Sequence, residues 1–156
     1  MIVAVLMGSE SDDPKLKAVF ETLDAFGVES EKRVISAHRA PAFLAAYVSE
    51  APRRGVAVFI CAAGLAAHLA GAVAAQTHLP VIGIPIKSGA LDGLDALLST
   101  VQMPPGVPVA TVGIDGAKNA ALLAIQMLAL SDEALAEKVR RYKQEMADAI
   151  ASKNPS

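Results

Sequence analysis

The sequence has no tryptophan, aromatic residues make up only 4% of its 156 positions, and Cys61 is its single cysteine. So few π-faces exclude a surface built to stack nucleobases or a flavin ring. A formal charge of -2 lacks the basic excess that a phosphate backbone demands, so no nucleic-acid partner is expected. A lone cysteine cannot close an internal disulfide, which fits a reducing compartment, and a cytoplasmic location is expected. The opening MIVAVLM lacks the basic flank and the length of a secretion signal. No uncharged apolar run reaches the roughly 18 residues that span a bilayer, so no membrane association is expected either. Neither GxGxxG nor GxxxxGK[ST] occurs, which removes the usual dinucleotide and P-loop readings. No two histidines stand at metal-ligand spacing and no Cys/His cluster exists, so no metal site is expected.

What is present is regular. Hydrophobic residues make up 53% of the chain, much of it alanine and aliphatic residues in short runs. IVAVLM (2–7), the segment ending at Ile35, VAVFICA (56–62), VIGIPI (81–86) and VPVATVGI (107–114) read as strands. The continuous apolar runs among them suit a parallel sheet covered on both faces. Between them lie segments of helical spacing: Leu16, Val19, Phe20, Leu23 and Phe26, closed by Gly27; Phe43, Leu44, Tyr47 and Val48; Leu91, Leu94, Leu97, Leu98 and Val101; and Ala117 to Leu130. Five strands alternating with helices predict a flavodoxin-like three-layer α/β sandwich, one domain over residues 1–156. The segment from Ala66 to Gln76 carries no charge on any helical face, which points to an interface. A last helix, about 132–151, bears the stripe Leu135, Val139, Tyr142, Met146 and Ile150. It either packs on its own domain or reaches as an arm onto a neighbouring subunit.

Open α/β sheets bind ligands beyond the carboxyl ends of their strands, and the polar residues gather there. The first loop offers Gly8, Ser9, Ser11 and Asp12, the second Ser36, His38 and Arg39, the third Gly64 and His68, and the fourth Lys87 and Ser88. Ser9 and Asp12 can hold a phosphate and a sugar hydroxyl, or cap the helix that follows. Arg39 offers a fork of donors suited to phosphate or carboxylate, or is simply solvated. His38, flanked by tiny residues on a strand-to-helix hinge, can move a proton near neutral pH, or merely open a helix. His68 is expected buried, hydrogen-bonded and lining a pocket; His78 is read as structural, and Cys61 as a small packed hydrophobe. The proline-rich MPPGVPV (103–109) has few donors and a fixed shape, and is expected to wall the pocket.

Taken in order, GSESD, SAHRAP, AGLAAHLAG, VQMPPGVPV and KNAALLA resemble the 5-(carboxyamino)imidazole ribonucleotide mutases of purine biosynthesis. The resemblance runs from about Ile2 to Leu130 and extends to a similar terminal helix. It implies a homo-octamer of flavodoxin-type subunits, with sites between subunits and the last helix embracing a neighbour. It also implies a small nucleotide substrate and a reaction without metal or organic cofactor. A carboxylate moves from the exocyclic nitrogen of aminoimidazole ribonucleotide to the adjacent ring carbon, through carbon dioxide. By resemblance His38 shuttles the proton with Ser36 beside it. Ser9, Asp12 and Arg39 bind the phosphoribosyl part, while Ala63, Gly64, His68 and Leu69 close on the carboxylate.

The match departs from the family pattern at Leu65, where a second glycine is usual, and at Ala70, where a proline is. A sister class carboxylates aminoimidazole ribonucleotide directly with carbon dioxide; it tends to lack the AAHL segment present here, which favours the mutase. A non-enzymatic receiver would need an aspartate at the end of the third strand, where Cys61, Ala62 and Ala63 stand. A flavin carrier would need aromatics in the strand-end loops, and there are none.

Overall fold

A computed structural model describes residues 1–154. Strands β1 (Ile2–Met7), β2 (Glu29–Val34), β3 (Val56–Gly64), β4 (Val81–Ile86) and β5 (Ala110–Thr111) form one parallel sheet in the order β2-β1-β3-β4-β5. The central strands are the continuous apolar runs, since residues on both faces of β1 and β3 are buried. Val3, Val5 and Met7 face a core shared with helices α1 (Asp13–Phe26) and α5 (Ala117–Ala129). Ala4 and Leu6 face the opposite core, shared with α2 (Pro41–Glu50) and α3 (Leu69–Ala74). Helix α4 (Leu94–Val101) packs on this second side, where a Cβ on Gly83 would meet Thr100 Cγ2 at 2.3 Å.

Chain punctuation follows backbone chemistry. Pro14 sits in the first turn of α1, and Gly27 ends that helix at φ 74°, a conformation that favours glycine. Among the described residues no helix is long and apolar enough to cross a membrane.

Two expected element bounds need correction. The fifth strand shrinks to two residues, because Pro104, Pro105 and Pro108 deny the approach to it backbone donors. Helix α3 starts at Leu69, since two tight turns, Ala67 N–H to Leu65 O and His68 N–H to Ala66 O, consume residues 65–68. Its Leu69, Ala70 and Val73 are buried in the chain's own core. In α4 the apolar stripe faces outward: Leu94, Leu98 and Val101 are exposed, as is Leu91 in the turn before it, while Ala96 and Thr100 are buried against the sheet. The close approach at Gly83 leaves room only for small side chains on the inner face.

Helix α6 (Glu133–Ala151) divides its stripe. Asp132 caps it by accepting from the Leu135 N–H at 3.0 Å. Leu135 is buried, Tyr142 meets Phe26 edge-on at 5.6 Å, and Lys138 donates to the Phe26 carbonyl at the end of α1. Beyond that the helix leaves the body, and Met146 and Ile150 are exposed.

Candidate active site

Strand β1 is followed in the sheet by β2 on one side and β3 on the other, and the connections diverge there. Such a switch point leaves a crevice above the strand ends. A cleft of about 510 Å³ occupies it, lined by Ser9, Asp12, Ser36, His38, Arg39, Ala63, Gly64, His68 and Leu69. These nine residues, picked from the sequence as substrate-binding or catalytic, therefore lie along one cleft, together with Ser11 and Ser88 of the same loops and with Leu65 and Ala66. The 103–109 loop does not line it; Met103 instead lies against Gly71 of α3.

In the first loop Ser9 adopts extended backbone and caps the short turn Glu10–Asp12, its hydroxyl accepting from the Ser11 N–H and the Ser11 hydroxyl. Capping is thus what Ser9 does in the free protein. Burial pushes the Asp12 carboxyl above its usual range, with the Asp115 charge adding to the rise and Lys15 opposing it.

The second loop is a turn closed by Ser36. Its carbonyl accepts from the Ala40 N–H at 2.9 Å and its hydroxyl from the Arg39 N–H at 3.2 Å. The Arg39 guanidinium reaches across to the Gly8 carbonyl at 2.9 Å, tying the first two loops together. His38 meets His68 of the third loop, Nε2 to Nδ1 at 2.8 Å, with the rings edge to face. His68 is exposed at the cleft rather than buried, because the turns at residues 65–68 carry it out from the sheet.

The third loop shows why two of its positions differ. A Cβ on Gly64 would come within 2.4 Å of Ser88 Oγ and 3.3 Å of the Ile86 carbonyl oxygen, so a larger residue there would have to displace the Ser88 side chain. The next residue, Leu65, has φ 55°, a left-handed conformation that costs a non-glycine residue roughly 1–2 kcal/mol. Strain of this kind collects at functional sites.

One contributor, Asp115, was invisible in the sequence. Asp115, also left-handed at φ 54°, accepts from the Lys87 N–H at 2.8 Å and pairs with Lys15 at 3.5 Å. It thereby braces the end of β4 against the start of α1, behind Asp12. Its place in GIDG, between the last strand and α5, was the available signal. Lys87 turns to Asp92 at 3.4 Å and does not line the cleft. Among the described residues no cluster of three or more His, Cys, Asp or Glu could hold a metal ion.

The family model described as AIR carboxylase matches residues 2–149. The chain belongs to that family. It is 56% identical over 144 residues to the N5-carboxyaminoimidazole ribonucleotide mutase of Pyrococcus abyssi, covering 92% of this chain and 83% of that one. It is 53% identical over 150 residues to the enzyme of the same name from Saccharolobus solfataricus, covering 96% and 95%. The crystal structure of Treponema denticola PurE superimposes with a TM-score of 0.87 at 30% identity, covering 97% of this chain and 94% of that one. The family thus extends over the whole sheet and all four strand-end loops that build the cleft.

Proposed function

We propose that this chain is an N5-carboxyaminoimidazole ribonucleotide mutase of purine biosynthesis. The observation that carries the reading is the convergence of His38, His68 and Arg39 with the Ser9–Asp12 loop in one cleft. Arg39 and the start of α1 offer donors to a phosphate, and Asp12 offers an acceptor to the ribose hydroxyls. The small side chains of Ala37 and Ala63 leave space for a flat heterocycle beside the His38 ring. Ala63, Gly64, His68 and Leu69 take the carboxylate end.

The chemistry balances on one proton. Protonated His38 gives its proton to the exocyclic nitrogen as the N–C bond breaks, and that bond's electron pair stays on nitrogen. Neutral carbon dioxide is released beside the aminoimidazole. The enamine-like ring carbon donates a pair to carbon dioxide, forming the C–C bond, and the proton on that carbon returns to His38. Ser36 holds the turn that aims His38. The ring supplies its own nucleophilic carbon, so the chemistry calls for no metal or organic cofactor. Holding carbon dioxide against its acceptor replaces an encounter from solution with an intramolecular step.

The acting unit in this reading is a homo-octamer of single-domain subunits in the cytoplasm. The bare leucines of α4 and the exposed Met146 and Ile150 of α6 support association through helical faces. Cys61, buried and unpaired, suits a reducing compartment. The test is carboxyl transfer by the purified protein, supplied with the N-carboxylated nucleotide or with aminoimidazole ribonucleotide and bicarbonate. Efficient use of the first substrate is expected. A strong preference for the second pair would establish the direct carboxylase, the reading that the family's description as AIR carboxylase favours.

A further inference from the structure

Lys15 stands in the first turn of α1, where a positive charge opposes the helix dipole. Its side chain leaves that helix: the ammonium donates to the Lys87 carbonyl just past β4 and pairs with Asp115 at 3.5 Å. Asp115 is held in turn, its carboxylate accepting from the Lys87 N–H at 2.8 Å and its own N–H donating to the Pro85 carbonyl at 2.9 Å. One ion pair thus joins the start of α1 to the loops after β4 and β5. The other cations around the first loop are engaged elsewhere. Lys32 holds Asp13, the Lys87 ammonium turns to Asp92, and Arg39 donates to the Gly8 carbonyl. Glu10, on the same turn as Asp12, is exposed, and His38 and His68 stand on the second and third loops of the cleft. Lys15 and Asp115 are the two charges that bear on the Asp12 carboxyl, with opposite signs.

We propose that Lys15 and Asp115 are positioning residues for nucleotide binding: they fix the first turn of α1 against the end of β4, and their opposed charges hold Asp12 as a charged acceptor for the ribose hydroxyls. The inference rests on the reading above that Asp12 meets the ribose. Neither side chain lines the cleft, so neither touches the nucleotide. Lys15 favours the ionised Asp12 and Asp115 disfavours it. Removing one partner therefore moves Asp12 in one direction, and removing the other moves it back.

The experiment measures the affinity of aminoimidazole ribonucleotide by isothermal titration from pH 4.5 to 8. It compares the parent with Lys15→Met, Lys15→Arg, Asp115→Asn and Asp12→Asn. Asparagine tolerates the left-handed backbone at 115 and keeps an acceptor for the Lys87 N–H. Both side chains are about a third exposed, at 35% and 37%, so the substitutions open no hole in the core. The phosphate and the two histidines titrate in every protein and cancel in the comparison. Affinity should fall on acidification as Asp12 takes up its proton. In Lys15→Met the fall should begin at higher pH, with binding several-fold weaker than the parent near pH 5; Lys15→Arg should restore the parent profile. In Asp115→Asn it should begin at lower pH. Coincident profiles overturn the proposal. So does a displacement of both variants in the same direction with a shared drop in Tm, which would leave the pair a structural brace alone. An Asp12→Asn protein that binds like the parent at every pH would instead refute the ribose reading, and the proposal with it.

Discussion

His38 Nε2 and His68 Nδ1 stand 2.8 Å apart, although 30 positions separate the residues. One nitrogen must donate and the other accept, so the tautomer of each ring is set by the other. The bond holds the His38 ring at the cleft and leaves its second nitrogen to the surroundings. His38→Asn is expected to lower kcat by about 10²–10⁴, the range of general acid–base catalysis, with ligand affinity largely kept. His68→Ala should lower kcat by a smaller factor and also weaken affinity, since that ring is placed at the carboxylate end. Isothermal titration with product, beside steady-state kinetics, checks both; retained turnover in His38→Asn would remove its proposed role.

Arg39 donates to the Gly8 carbonyl, and in the proposed function its remaining donors meet the phosphate. Arg39→Ala is expected to raise KM far more than it lowers kcat, by about tenfold or more, the worth of a charge-assisted hydrogen bond. Arg39→Lys should not restore it, because an ammonium cannot serve both partners as a fork does. An unchanged KM would place the phosphate elsewhere.

Asp12 sets stability against function. Burial raises its folded pKa above the unfolded value, so the stability it contributes is present at low pH and fades as pH rises through the folded pKa. At neutral pH its charge weighs against the fold. Asp12→Asn should therefore raise Tm at pH 7 and narrow the gain on acidification, while KM for the nucleotide rises. Thermal melts at pH 4 and pH 7 test the sign, and a lower Tm at both would contradict it.

Glu31 runs the other way. Burial pushes its carboxyl up, but hydrogen bonds from Arg54, at 2.8 Å, and from the Tyr47 hydroxyl outweigh that and hold it below the usual range. Tyr47 is in turn pushed up by burial and by Glu31. The stability from Glu31 is complete above the ordinary carboxylate pKa of about 4.3 and is lost as pH falls through the lower folded value. Glu31→Gln should lower Tm at pH 7 and show a shallower loss below pH 4 than the parent; parallel acid limbs would count against the clamp.

The strands and the polar loop ends were legible because both are local signals: an apolar run, then small and polar residues. That sufficed to collect the cleft, since a parallel sheet brings all its carboxyl ends to one edge. What stayed hidden was long-range or one-sided. Nothing local ties His38 to His68, or Asp115 to Lys15. The leucines of α4 have helical spacing, but spacing does not say which side meets the sheet; the tight approach of Thr100 to Gly83 decided that. Likewise the stripe on α6 is one pattern with two fates, buried near Leu135 and bare at Ile150.

The sheet margins carry a consequence of their own. On one side β2 presents Glu29, Glu31, Lys32 and Arg33, with Lys32 held by Asp13 at 2.7 Å. On the other β5 is two residues long and approached through prolines. Neither border welcomes a visiting strand, so runaway fibre growth by edge-to-edge stacking is blocked at both ends. Any recognition between copies of this chain would then fall to shape on the helical flanks, a language in which a closed particle of fixed size is easier to spell than an endless ribbon.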